Sequence, residues 1–243
     1  MNLPNATRRY AAEFIGTFVL VALGPGAVMV SASTHAFGEP GIALAFGLAV
    51  TIVVAATGHI GGAHINPAVT IGLWSARRFP SRDVPAYVVA QCFGAIAASA
   101  LLVWILGPVG NSGATVPAIS TARAFVVEAG YTVILGLVIM GVTSDARVAP
   151  SVVPFAIGAT IFAGALVTGP LTGGSFNPAR SLGPAIVGGV WTAHWLYWIA
   201  PVVGSVVGMR AYLILDPGSA AVASPATTGV TGESEPTEKA SAF

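Results

Sequence analysis

The tripeptide Asn66-Pro67-Ala68 returns 111 residues later as Asn177-Pro178-Ala179, and the same shift carries Gly47 onto Gly158, Gly58 onto Gly169 and Gly62 onto Gly173. Such agreement at one offset marks an internal repeat. Elsewhere the offset slips slightly. At 110, Tyr87 meets Tyr197, Ala90 meets Ala200 and Gly94 meets Gly204, while at 115 Glu13 meets Glu128. The slips fall in loops, so the chain must fold as two like halves.

The solvent of those halves follows from charge. Of 243 residues 8% are charged and 55% hydrophobic, with a mean hydropathy of +0.82. A soluble domain carries charge on about a quarter of its residues. Lipid is therefore the main solvent, and six spans of about 20 residues fit the length. The same figures exclude a disordered or collagen-like chain. A net charge of +1 supplies no surface for nucleic acid, and Cys92, the one cysteine, makes neither an intrachain disulfide nor a cysteine metal site. No metal or cofactor is expected.

Apolar stretches bounded by polar or Gly/Pro punctuation predict helices over 10–32, 40–60, 85–106, 122–143, 150–169 and 194–215. The first, behind Arg8 and Arg9, is long enough to be a retained span rather than a cleaved signal. With an even number of spans both termini share a side. Arg8, Arg9, Arg77, Arg78, Arg82, Arg147, Arg210 and Lys239 lie on that side and only Arg123 and Arg180 elsewhere, which makes it cytoplasmic. The organisation expected is a cytoplasmic N-terminus (1–9), a first repeat (10–106), an extracellular connection (107–121), a second repeat (122–215) and a disordered cytoplasmic tail (216–243).

Ile60–Ser75 and Leu171–Val187 are apolar but too short to cross and are broken by Gly and Pro, so they are read as re-entrant segments. Three spans per repeat is an odd number, so the second copy enters from the opposite face. The repeat is inverted, and the two short segments meet near the midplane as half helices 66–75 and 177–186.

At that meeting point Pro67 and Pro178 suit a first helical position, where a missing N–H is no loss, and Asn66 and Asn177 read as N-caps. Ala68 and Ala179 complete the two caps. Each asparagine oxygen then accepts from its own helix, leaving the amide NH2 free as a central donor. Two helix N-termini, each with roughly half a positive charge, disfavour cations there. The stretches before each asparagine, His59–Ile65 and Pro170–Phe176, read as extended backbone lining a wet cavity with carbonyls. Arg180 follows only the second motif; Val69 stands in its place in the first. A cation in the membrane costs about 2.5–3.5 kcal/mol on insertion scales, which assigns it to a narrow pore mouth.

Three stretches carry a family resemblance: Ala12-Glu13-Phe14-Ile15-Gly16-Thr17, Gly61-Gly62-Ala63-His64-Ile65-Asn66-Pro67-Ala68-Val69-Thr70 and Gly174-Ser175-Phe176-Asn177-Pro178-Ala179-Arg180-Ser181. Over about residues 8 to 215 the chain resembles the aquaporins, or major intrinsic proteins. The resemblance implies an all-α membrane fold: a right-handed bundle of six tilted helices plus two re-entrant half helices. It also implies a homotetramer with one passive pore per subunit. By the same resemblance the selectivity filter is Phe46, Ala165, Gly174 and Arg180, and the carbonyls of Gly61, Ala63, His64, Gly173, Gly174, Ser175 and Phe176 face the pore.

The chain departs from strict water channels, which usually have histidine at the position of Ala165 and a bulkier residue at that of Gly174. Its filter is expected to be wider and less polar. Glycerol members carry aspartate after the arginine and a basic residue four further on, where this chain has Ser181 and Ala185; Tyr197-Trp198 also follows the water pattern. The expectation is a channel for water that excludes protons and ions, with glycerol, urea, ammonia and hydrogen peroxide as the small neutral solutes to test. The alternative is a glycerol/urea/ammonia-type facilitator.

Other readings weigh less. Glu13 and Glu128 would suggest proton coupling in a secondary active transporter, but their symmetry favours support of the re-entrant loops. His64 reads as a loop brace. An enzyme would need more than His64 and Ser175 with no third group to orient them. Trp74, Trp104, Trp191, Trp195 and Trp198 near span ends read as an aromatic belt, and the small residues Gly94, Ala98, Gly204 and Gly208 as close helix packing. The expected location is a plasma membrane, a cell inner membrane if the source is bacterial.

Overall fold

The computed structural model describes residues 5–216; the tail expected over 216–243 lies, apart from Asp216, outside the described residues. Eight α-helices follow one another: α1 (Asn5–Thr34), α2 (Gly38–Gly61), α3 (Pro67–Ser75), α4 (Val84–Leu106), α5 (Thr121–Ser144), α6 (Val152–Thr172), α7 (Pro178–Gly188) and α8 (Leu196–Leu215). Six of them, all but α3 and α7, are long and apolar enough to cross a membrane. Among the described residues there is no strand.

Two helices run further than the sequence pattern predicts. The second continues to Gly61 and the sixth to Thr172, so His59–Gly61 and Pro170–Thr172 are helical rather than extended. Each ends on a glycine with a left-handed backbone, Gly62 (φ +85°) and Gly173 (φ +83°), whose N–H closes onto the carbonyl of Gly58 or Gly169. Glycine adopts that conformation without steric cost, and it stops the helix inside the membrane layer.

Packing repeats the inverted relation. The pair α1 and α4 is matched by α5 and α8, α1 and α2 by α5 and α6, and α2 meets α6 between the halves. The half helices are exchanged: α3 packs mainly on α8 of the other half and α7 on α4. Each short segment is thus clamped by the opposite repeat. Large apolar side chains such as Ile15, Phe93, Trp104 and Phe155 are exposed, as suits a surface in contact with lipid, and many buried positions are small residues. Trp74, Trp104, Trp191 and Trp195 are exposed, while Trp198 is half-buried with its indole N–H on His194.

Small residues set the helix spacing. A Cβ on Gly208 would overlap the Val133 carbonyl oxygen of α5, with the Val133 carbonyl carbon and Cα both at 3.0 Å, so α8 approaches α5 backbone to backbone. At the chain's surface, Arg147 beside Asp145 fastens the α5–α6 connection and holds the carboxyl down at about 2. Because that pKa is depressed, the link is complete above the ordinary value of 3.8 and is lost only as pH falls through about 2.

Replacing Gly208 by leucine is expected to lower the thermal unfolding midpoint in detergent, the overpacking costing about 1–3 kcal/mol. Gly130→Leu is the control. A Cβ there meets nothing within 4 Å, and that variant is expected to unfold like the wild type.

Candidate pore and constriction

Between the helix ends and the half helices lie two four-residue bridges, 62–65 and 173–176, whose backbones repeat each other. Positive φ values occur at Gly62 and Gly173, at Ala63 (+47°) and Gly174 (+55°), and at Ile65 (+45°) and Phe176 (+52°). Alanine, isoleucine and phenylalanine rarely adopt such angles, which cost about 1–3 kcal/mol each and persist only where surroundings enforce them.

Two buried carboxylates do the enforcing. Glu13, 0% exposed, accepts from the N–H groups of His64 (2.8 Å) and Ile65 (2.6 Å) and from the Gln91 amide (2.7 Å). Glu128, also 0% exposed, accepts from the N–H groups of Ser175 (3.0 Å) and Phe176 (2.8 Å) and from the Thr172 hydroxyl (2.6 Å). Tyrosines add a second tie: Tyr87 donates to the Gly61 carbonyl (2.8 Å) and Tyr197 to the Thr172 carbonyl (2.7 Å).

Within each loop, the residue two before the asparagine bonds to a hydroxyl four after it. His64 Nδ1 lies 3.2 Å from Thr70 Oγ1, and Ser175 Oγ lies 2.6 Å from Ser181 Oγ. His64 and Ser175 are therefore each engaged in their own loop.

Asn66 Oδ1 accepts from the Ala68 N–H (2.8 Å), and Asn177 Oδ1 from those of Ala179 (3.0 Å) and Arg180 (3.2 Å). Pro67 and Pro178 hold the first helical positions. The sequence predicts free amides, but each is partly engaged. Asn66 Nδ2 donates to the Phe176 carbonyl and Asn177 Nδ2 to the Ile65 carbonyl, both at 2.8 Å. One N–H of each amide thus crosses to the other loop, and one is left beside the cavity that both asparagines border.

That cavity, about 640 Å³, extends from Arg78, Thr143, Ser144 and Pro150 past the asparagines to Phe46, Gly174 and Arg180. Bridge residues Ala63, His64, Ser175 and Phe176 border it, facing an apolar wall that includes Leu20, Val50, Ile157 and Ile161. Gly61 and Gly173 do not: Gly61 ends α2 with its carbonyl on Tyr87, and Gly173 caps α6 against Thr115. The Phe176 carbonyl borders the cavity but is already engaged by Asn66.

Arg180, 2% exposed, donates through Nη1 to the Gly113 carbonyl (2.8 Å) and lies over the Phe46 ring, 4.8 Å from its centroid. Its Nε has no protein partner. Gly174 adjoins Ala165, since a Cβ on Gly174 would meet Ala165 Cα at 3.4 Å. Phe46, Gly174 and Arg180 border the cavity directly; Ala165 does not, and takes its place beside them through Gly174.

The sequence reading leaves residues 107–121 as a mere connection, yet this segment anchors the arginine. Gly110, Asn111, Ser112 and Gly113 form one left-handed turn (φ +56°, +50°, +55° and +75°) that presents the Gly113 carbonyl. Thr115 follows, its hydroxyl donating to Ser181 (2.8 Å). No periodicity marks these residues. Tyr87 and Tyr197, by contrast, were legible as a repeated pair, and Gln91 left no sequence signal.

The family model for the major intrinsic proteins matches residues 1–212. The chain belongs to the major intrinsic protein family. Its members are passive channels in membranes rather than enzymes, and this one is a multi-pass membrane channel. Among curated relatives, the major intrinsic protein described here is 44% identical over 210 residues to aquaporin NIP1-1 of Oryza sativa subsp. japonica, covering 86% of this chain and 74% of the relative. It is 43% identical over 210 residues to nodulin-26 of Glycine max, covering 86% and 78%. An X-ray structure of the aquaglyceroporin from Plasmodium falciparum superposes with a TM-score of 0.79 at 31% identity, covering 88% of this chain and 98% of that one.

Glu128→Ala removes the acceptor for three buried donors, each unsatisfied group costing about 1–3 kcal/mol, so this variant is expected to lose most of its thermal stability in detergent. Glu128→Gln keeps one carbonyl oxygen and is expected to fall between. Equal midpoints for wild type and Glu128→Ala would show that the carboxylate does not hold the loop.

Proposed function

We propose that the channel conducts water together with small uncharged polar solutes up to the size of glycerol, and that it excludes ions and protons. The observation that carries this reading is the composition of the narrow end: one buried guanidinium and an aromatic ring stand opposite Gly174, which has no side chain, and its neighbour Ala165. A histidine and a bulkier residue would there hold a single file of water. Their absence leaves room for carbon, and the Phe46 ring offers an apolar surface to it.

The Arg180 guanidinium and the spare amide hydrogens of Asn66 and Asn177 border the path as donors, matched to hydroxyl or carbonyl oxygens. Cations meet a fixed positive charge and then the N-termini of α3 and α7. Protons are opposed by the same field, and a water between the two asparagines would accept from both, which breaks its hydrogen-bonded file. The likeness to an aquaglyceroporin supports the wider solute range. In the assembly proposed, a homotetramer in a plasma membrane, each subunit has its own pore and both termini are cytoplasmic.

Stopped-flow light scattering on proteoliposomes tests this. Fast shrinkage in an osmotic gradient, with low activation energy and no ion gradient, is expected; shrinkage equal to empty liposomes would overturn the reading. Glycerol and urea uptake above the empty-liposome rate is expected as well. Ala165→His is expected to lower glycerol permeability by about tenfold or more while water changes less, since one added group in a tight site discriminates on that scale. An unchanged glycerol-to-water ratio would remove position 165 from the filter.

A further inference from the structure

Helix α1 gives no side chain to the narrow end, yet two of the groups that form it rest on one dipeptide of α1. Gly24 is buried against the edge of the Phe46 ring. A Cβ built there would overlap the ring, meeting Phe46 Cζ at 2.8 Å and Cε1 closer still. The next residue, Pro25, backs the left-handed turn: a Cβ on Gly113 would meet Pro25 Cβ at 2.8 Å and the Pro25 carbonyl oxygen at 3.1 Å. Gly113 in turn accepts from Arg180.

The Phe46 ring is therefore confined on two sides. Behind it stands the backbone of α1 at Gly24, and over its face stands the Arg180 guanidinium, held in place by Gly113. Both the ring and the guanidinium border the cavity, so a displaced ring has that space to enter. Any side chain at 24 moves the ring that way.

We propose that Gly24 is a specificity-determining position of this channel: the space left by its missing side chain seats the Phe46 ring against α1 and so sets the clear width of the constriction. Gly24 touches no solute and acts through Phe46. The inference rests on the proposed reading of Phe46 and Arg180 as the constriction. Helix formation is not at stake, because alanine is a better helix former than glycine and Gly24 is not among the positive-φ glycines.

The test compares wild type, Gly24→Ala, Phe46→Leu and the double variant Gly24→Ala/Phe46→Leu in proteoliposomes, with water and glycerol permeabilities measured on each. Gly24→Ala is expected to lower glycerol permeability about tenfold and water permeability under about twofold, the scale on which a methyl-sized change discriminates. Truncating the ring in the double variant is expected to restore glycerol passage, which a merely structural role for Gly24 would not produce. Equal losses of water and glycerol in Gly24→Ala, an unchanged ratio, or failure of the second substitution to restore glycerol would overturn the proposal.

A wild type that excludes glycerol overturns the wider solute reading instead. The proposal is then judged on water alone, which must fall in Gly24→Ala and return in the double variant. If Gly24→Ala reconstitutes poorly, Phe46→Trp in the wild-type background presses on the same space from the other side. It must reduce glycerol more than water, and an equal reduction of both would overturn the assignment.

Discussion

Backbone that leaves a helix inside a bilayer exposes N–H groups that no water will satisfy, and the rest of this structure depends on how that demand is met. Glu13 and Glu128 meet it with one carboxylate per bridge, each taking two consecutive N–H groups and one side-chain donor. A carboxylate suits the task because it is acceptor-only and has two oxygens with room for several donors. Left-handed turns at Ala63, Ile65 and Phe176 are held by these bonds. With the bridges fixed, α3 and α7 start at defined points, and Asn66 and Asn177 stand opposite one another.

The crossed amides extend the same logic between the halves. Each asparagine caps its own helix with oxygen and grips the other loop's carbonyl with nitrogen, so neither half helix can shift without breaking a bond in both repeats. The exchange of α3 onto α8 and α7 onto α4 reinforces that coupling through packing. A rigid, two-fold scaffold results, and its centre is nearly symmetric.

The symmetry fails at a few positions. Position 69 is valine and position 180 arginine; position 64 is histidine and position 175 serine. The serine, with Ser181 and Thr115, forms a chain of hydroxyls that joins the second loop to the segment over 110–115, which in turn supplies the carbonyl for Arg180. The first loop instead packs His64 among Phe79 and Tyr87, with Arg9 over both of those rings. One loop thus adjoins a buried cation, and the other sets its histidine among aromatic rings.

The repeated Asn-Pro-Ala motifs, the spaced apolar spans and the paired glutamates made the fold and the central residues readable, because each is a local pattern or a copy of one. The linear pattern misjudged what depended on partners distant in the chain. The resemblance pointed the Gly61 carbonyl at the pore, yet Tyr87 of another helix donates to it. The asparagine amides read as free, yet each reaches a carbonyl more than a hundred residues away. By itself, then, the sequence determined the solvent, the six spans, the inverted repeat and the residues at its centre, since hydrophobicity, periodicity and duplication are written along the chain. Only the tertiary structure decided which donors remain open, how Gly113 fixes Arg180 and how Gly24 backs Phe46. Those depend on angles and clearances between elements that no local pattern encodes.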